Sequence, residues 1–324
     1  MRMMTDTLKL AFALAAVLVA GTAAAAYPEK PIRMIVPYAP GGSTDIAARI
    51  VAEGLSRNLG VPVVIQNQPG ASGNVGAATV ARSAPDGYTL LFTGSGIASV
   101  PSTKDVQFDL RKDLQPISRV VSSQFSILVN PKLPVNNLQE FLAYARARPG
   151  KLDMACSGAL TAAHFALEGF RQAAGLEFVT IQFNGNAPAA TAMMSGEPPA
   201  GIDAAFSAKG AVTSGRLRAI AVTGSQRSPL LPGVPTASEA GVPGYQASFS
   251  LVMMAPGAVT KDVVDRLHQS IAVTLKDSAT VQKLEAQGFE IVGNSPAEYR
   301  AELEADIKQN AGIIASLRKA GAID

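Results

Sequence analysis

The chain has 324 residues, with 28 Lys and Arg against 25 Asp and Glu, no Trp and 6% aromatic residues. A nucleic-acid surface clusters basic residues with aromatics between them; here the basic residues are scattered, which sets that class aside. Cys156 is the only cysteine, so no internal disulfide forms and a large apolar core, enough for about two domains, must hold the fold.

Met1 to Lys9 carry Arg2 and Lys9, "LAFALAAVLVAG" follows, and "TAAAA" precedes Tyr27. A basic start, a short apolar run and small residues before a cut are the pattern of a secretory signal peptide, cleaved here after about Ala26. A membrane-spanning helix needs ~20 apolar residues, more than this run supplies. No cysteine stands at the cut, so a soluble mature chain in the periplasm is expected rather than a lipid-anchored one.

In the first third, apolar runs bounded by turn residues alternate with helical patterns. "IRMIVPY" predicts a strand, and Ile46, Ile50, Val51, Leu55 and Leu59 recur at helical spacing until Gly60. "VPVVIQN" predicts a second strand, "NVGAATVARSAP" a helix and "YTLLFT" a third strand after a "PDG" turn. Such alternation implies a parallel sheet covered on both faces.

From "SILVN" (126–130) the theme repeats. "NNLQEFLAYARARPG" predicts a helix closed by Pro149 and Gly150, "KLDMACS" a strand, "TAAHFALEGFRQAAG" a helix, and "EFVTIQF" and "LRAIAVTG" further strands. These read as a second α/β unit rather than a longer sheet. "YQASFSLVMMAP" (245–256) is extended, and the rest is helical. Thr260 is positioned to cap "KDVVDRLHQSIAVTL", and Ser295, Pro296 and Glu298 form a capping box. Two extended runs near 126 and 250 imply two crossings between domains. The expected division is 1–26 signal peptide, 27–126 with 251–324 as a discontinuous first domain, and 127–250 as the second, with a cleft at the crossings.

"VPYAPGGSTDIAARI" (36–50) joins the first strand to its helix. Gly41 and Gly42 leave the backbone bare, and the helix start offers unpaired N–H groups and a partial positive charge, a combination that binds anions. Ser43 and Thr44 add hydroxyls. Asp45 would repel an anion, so it either caps the backbone or meets an amino or hydroxyl group. A tight strand-to-helix turn without a ligand has the same composition. Gly94, Ser95 and Gly96 in "LLFTGSGIAS" form a second join at a strand end, where open α/β sheets place ligands. Pro101 leaves no room for a convincing helix after it, which disfavours a dinucleotide site.

Catalytic signatures are scarce: the sequence holds no G-x-S-x-G, P-loop or H-E-x-x-H, and only two histidines, His164 and His268. Cys156 and His164 invite a thiol dyad, but a buried cysteine at a strand end and a histidine that hydrogen-bonds one turn after Thr161 are the commoner arrangement. His268 reads as a surface residue. No set of residues suits a metal, and no cofactor is implied.

The segments "YPEKPIRMIVPYAPGGSTDIAARIVAEGL", "VVIQNQPGASGNVGAATVARSAPDGYTLLFTGSG" and "LRAIAVTGSQRSPLLPGVPTASEAGVPGY" together resemble the substrate-binding proteins of tripartite tricarboxylate transporters, the Bug family. That resemblance covers essentially the whole mature chain. It implies a type II periplasmic binding protein, a two-domain α/β Venus flytrap closed over a small organic acid. It also implies delivery of the acid to membrane subunits of the transporter, without catalysis. The site residues it implies are Tyr38, Ala39, Pro40, Gly41, Gly42, Ser43 and Asp45 on one loop and Gly94 and Ser95 on the next. Ser157, Thr161, His164, Asn184, Gly185 and Asp203 face them from the second domain.

Four positions depart from the family pattern: Cys156 stands for Ser, Leu160 for Gly, Asn184 for Lys, and Pro199 for a common acidic residue. Loss of the lysine charge leads us to expect a less acidic or more apolar ligand than the usual acids. A monomer is expected. A ligand sensor, or an exported hydrolase or thiol enzyme on a similar scaffold, are the alternative readings.

Overall fold

The computed structural model describes residues 27–103, 106–183 and 185–319. The expected signal peptide and Asn184 lie outside the described residues.

In the first half, β1 (Ile32–Val36), β2 (Val63–Asn67) and β3 (Thr89–Gly94) are parallel in the order β2-β1-β3. Helix α1 (Ser43–Leu59) ends on Gly60, whose φ of 73° is the left-handed conformation glycine tolerates. It packs Val51 and Leu55 onto Ile32, Met34, Leu90 and Phe92. Helix α2 (Asn74–Ala81) covers the other face through Ala77 and Val80. Burial on both faces explains the unbroken apolar run Leu90–Phe92 of β3, whereas β1 is interrupted by exposed Arg33 and the edge strand β2 is only partly buried.

A short helix α3 (Leu110–Asp113) leads into β4 (Leu114–Val129), a strand of 16 residues. Its first part, to Gln124, pairs antiparallel with β9 (Ser248–Pro256); from Phe125 it pairs with β7 (Ala200–Ala204) and β8 (Arg218–Val222). The second half holds α4 (Leu138–Arg146), β5 (Asp153–Cys156), α5 (Ala162–Ala174), β6 (Val179–Gln182), α6 (Asn186–Ser195) and α7 (Ala205–Thr213). Its strands run β6-β5-β7-β4, and its core gathers Phe141, Met154, Leu167, Phe170 and Ile202. After β9 the chain adds α8 (Lys261–Thr274), α9 (Ser278–Ala286), the short β10 (Glu290–Ile291) and α10 (Pro296–Lys319). The Ser295 box forms: Ser295 Oγ accepts from Glu298 N–H, and Glu298 accepts from Ser295 N–H at 2.8 Å.

Several expectations need correction. The two α/β units are not separate sheets, because β4 and β9 carry one hydrogen-bonded path through both. The crossing strand begins at Leu114, well before "SILVN". "AGIDA" at 200–204 is a central strand although Gly and Asp disfavour strands. Glycine is required there by packing: a Cβ on Gly201 would lie 2.5 Å from the Ala155 carbonyl oxygen. A 3-10 helix, Ser95–Ser102, does follow β3 and contains Pro101. The Thr260 side chain makes no capping bond. His268 is half-buried, with Nε2 enclosed and unpartnered among the described residues.

Candidate functional site

Adjacent parallel strands deliver adjacent loops, and in the first half three loops gather where β1, β2 and β3 end. Ala39, Pro40, Gly41 and Gly42 are exposed at the tip of the first. Gly41 turns with φ +81°, and Gly42, with φ −74°, stands at the N-cap of α1 without a side-chain capping bond. The first-turn amides of α1 are therefore not taken by a capping side chain and carry the positive end of the helix dipole.

Asp45, 2% exposed, resolves the ambiguity of its position. Its carboxylate accepts from Gly41 N–H (2.9 Å), from Arg49 Nε and Nη2 (2.9 and 3.0 Å) and from Asn67 Nδ2 (2.9 Å). Burial alone would raise its pKa, but the Arg49 guanidinium, the Gly41 amide and Asn67 together hold it below the ordinary value. Asn67 also donates to the Tyr38 carbonyl at 3.1 Å. Asp45 thus braces the glycine loop from behind.

Tyr38 Oη lies 3.3 Å from Thr93 Oγ1, and a Cβ on Gly94 would lie 3.0 Å from the Phe249 ring and 3.4 Å from Tyr38 Oη. Only glycine fits comfortably between these two rings. Ser95 Oγ accepts from Ser250 N–H at 3.3 Å, so its hydroxyl is turned toward β9. The third loop escaped the sequence reading. Ala71 and Ser72 are left-handed (φ 45° and 54°), followed by Gly73 at 98°, whose Cβ position is 3.4 Å from Tyr38 Oη. Two strained non-glycine residues beside Tyr38 mark a candidate contact; "NQPGASGN" was its only trace in the sequence.

In the second half the loops after β5, β6 and β7 lie side by side. Gly185 N–H donates to the Ser157 carbonyl at 3.1 Å, and no atom lies within 4 Å of its Cβ position. Helix α6 starts at Gly185 and α7 at Ala204, both without side-chain caps. Helix α5 differs: Thr161 donates to the Gly158 carbonyl at 2.9 Å and accepts from His164 N–H at 3.2 Å, so its hydroxyl is an internal cap.

His164 is 1% exposed, and its Nδ1 accepts from Leu160 N–H at 3.0 Å. That bond puts the ring proton on Nε2, 4.0 Å from Glu168. Burial lowers its pKa against the opposing pull of Glu168, which keeps the ring neutral. Its partner Leu160 has φ 55°, a conformation suited to the glycine it replaces.

Asp203, 3% exposed, accepts from Asn186 Nδ2 and Ala204 N–H, both at 2.7 Å, while Oδ2 has no partner among the described residues. Burial raises its pKa to about 6, although Ser207 and the Ala204 amide pull the other way. Cys156 is fully buried, and desolvation raises its thiol pKa. With the His164 nitrogens directed at Leu160 and Glu168, the pair forms no thiolate–imidazole dyad. No cluster among the described residues suits a metal ion.

The two loop sets meet. A Cβ on Gly96 would lie 3.7 Å from Ala162 N and 4.0 Å from the Leu160 carbonyl oxygen. Leu160 also packs with Phe165 of α5 against Ile313, Ile314 and Leu317 of α10, so an apolar cluster bridges the halves.

Residues 47–318 match the model of the tripartite tricarboxylate transporter family receptor. The chain is 36% identical to protein BugT of Bordetella pertussis (strain Tohama I), over 91% of each chain. The structure of the periplasmic binding protein BugD aligns with a TM-score of 0.76 and 33% identity, covering 91% of this chain and 99% of the other. That of R. palustris Rpa4515 with adipate aligns with a TM-score of 0.79 and 30% identity, covering 89% and 98%. The fold is accordingly the two-domain α/β periplasmic binding protein fold, and the chain belongs to the tripartite tricarboxylate transporter family receptors, which are binding proteins and not enzymes.

Proposed function

We propose that this protein captures a small carboxylate in the crevice between its halves and hands it to the membrane subunits of a tripartite transporter. The observation that carries the reading is the open N-terminus of α1, bared by Gly41 and Gly42 and braced by Asp45. Main-chain amides and a helix dipole bind a carboxylate without any bond being made or broken. The relative with adipate supports the ligand class.

In this reading Tyr38, Ala39, Pro40, Gly41, Gly42, Ser43, Gly94 and the Ser95 amide form one end of the site. Ser157, Asn184, Gly185 and Asp203 form the other. Asp45, Thr161 and His164 shape the loops rather than touch the ligand, since their polar atoms are engaged internally. The lobes are 27–126 with 251–324, and 127–250. The change of partners along β4 between Gln124 and Phe125 supports that boundary. The chain works as a periplasmic monomer after removal of the leader at about Ala26.

Asp203 favours a ligand less acidic at its far end than a tricarboxylate, because a second carboxylate there would face a buried acid. Calorimetric titration of the mature protein with citrate, malate, monocarboxylates and aromatic acids tests this. Tightest binding by a monocarboxylate or aromatic acid is expected; tightest binding by citrate or malate would overturn it. Native mass spectrometry of freshly purified protein tests the class itself, with a co-purified carboxylic acid as the expected mass.

A further inference from the structure

Behind the crossing strands the two halves leave a groove of about 1070 Å³. Ser248 and Ser250 of β9 line it, whereas Phe249 between them turns toward Gly94. Since successive side chains of a strand point to opposite faces, this groove and the carboxylate crevice lie on opposite sides of β9. Ser95 and Gly96 form the partition. One wall is α5, which lines the groove with the small residues Ala162, Ala166, Gly169 and Ala173 together with Phe165 and Gln172; the other is α10, with Asp306, Gln309 and Asn310.

The floor holds buried polar atoms with nothing to bond. Gln124 is 6% exposed; its Nε2 donates to Glu290 at 2.7 Å, but Oε1 has no partner among the described residues. Ser250 is 1% exposed, and its Oγ is equally unpartnered. An enclosed acceptor left unpaired costs about 1–3 kcal/mol, so a donor brought to it is rewarded.

The charge of the lining selects the donor. Among the described residues Arg119 is the one cation lining it, and its guanidinium is ion-paired with Glu302 at 2.9 Å and Asp306 at 3.1 Å. Glu290 and Asp306 both line the groove. Burial raises the Asp306 pKa, Arg119 pulls it down, and the Glu302 charge pushes it up again. A carboxylate is therefore repelled and an ammonium attracted, the opposite of the glycine-loop crevice.

We propose that this hinge-side groove is a second binding site, for a small primary amine. Its ammonium hydrogens satisfy Gln124 Oε1 and Ser250 Oγ, and Glu290 and Asp306 match its charge. Both halves supply walls, so occupancy is linked to the angle between them. Any effect of the amine on carboxylate affinity is then returned by the carboxylate on amine affinity by the same factor.

The test is titration of the mature protein with 1,4-diaminobutane at physiological salt, without added carboxylate, followed by calorimetry and amide NMR. Failure here leaves the carboxylate reading untouched. Saturable binding is expected, with shifts at 119–124, 248–250 and 306–310. 1,4-Butanediol, the uncharged counterpart, should bind at least tenfold more weakly. Gln124→Leu and Glu290→Gln should each weaken the diamine about tenfold. Glu290 is exposed, so its variant remains informative if Gln124→Leu does not fold. No saturable binding, equal binding of the diol, or unchanged affinity in Glu290→Gln would each overturn the proposal.

Discussion

The two halves of the crevice use the same architecture to different ends. In the first, the helix start at Gly42 is uncapped and exposed, and the one nearby acid, Asp45, is turned backward into a brace. In the second, α5 is capped by its own Thr161, His164 is spent on Leu160, and the acid that remains, Asp203, keeps an unpartnered oxygen and a raised pKa. The lesson is that composition alone does not say which way an acid beside a glycine-rich loop faces. Partners decide it: Asp45 has an arginine and an amide to lean on, and Asp203 has no cation bonded to it among the described residues.

The sharpest way to break this contrast is Gly42→Val. The backbone there is ordinary, and a Cβ meets only the Ala39 carbonyl oxygen at 3.7 Å, so the variant should fold. Its side chain fills the place of the anion, and carboxylate affinity should fall by about 100-fold or more, roughly 2.7 kcal/mol. Calorimetry checks this, and unchanged affinity removes the loop from the site.

Next in size is Asp45→Ala, which deprives Gly41, Arg49 and Asn67 of their acceptor at once. A loss of ~2–3 kcal/mol in urea unfolding is expected. Weaker carboxylate binding should accompany it, because the glycine loop is no longer held.

Asp203→Asn should act in the other direction. The folded-state pKa of about 6 lies above the ordinary 3.8, so the folded protein binds the extra proton between those values and loses stability as pH rises through the window. At pH 8 the ionised carboxylate costs the fold on the order of 3 kcal/mol, and near pH 4 only about 0.5 kcal/mol. The variant should gain about that much at pH 8 and little at pH 4. Unfolding curves at the two pH values decide; an equal effect at both would assign Asp203 a structural bond instead.

The smallest effect concerns Leu160→Gly. Glycine accepts the left-handed backbone without strain but withdraws a side chain from the cluster with Phe165, Ile313 and Leu317. The closed arrangement should lose population, and apparent carboxylate affinity should drop severalfold. Small-angle scattering should show a larger radius for the ligand-free variant than for the parent protein.

Much of the first half was legible in the sequence because its signals are local. Helical spacing from Ile46 to Leu59, the Gly60 stop and the Ser295 capping box each need only a few neighbouring residues to be read. The central strand at 200–204 was not legible, since Gly201 and Asp203 are there for contacts with Ala155 and Asn186, distant in sequence. Capping by Asp45 and a local hydrogen bond of His164 were legible as alternatives, but their partners Arg49, Asn67 and Leu160 emerge only from the folded loops. The left-handed pair at Ala71 and Ser72 is not legible from residue type, because neither Ala nor Ser advertises that conformation.

The long strand β4 carries a consequence of its own. Its ladder with β9 is interrupted between Pro116 and Ser118 and between Arg119 and Val121, and its ladder with β8 between Ile127 and Leu128. Those breaks bracket the point where it exchanges one set of partners for the other. Ladder bonds are fewest at these notches, so a rotation of one lobe against the other is expected to bend the strand within that span and leave both cores intact.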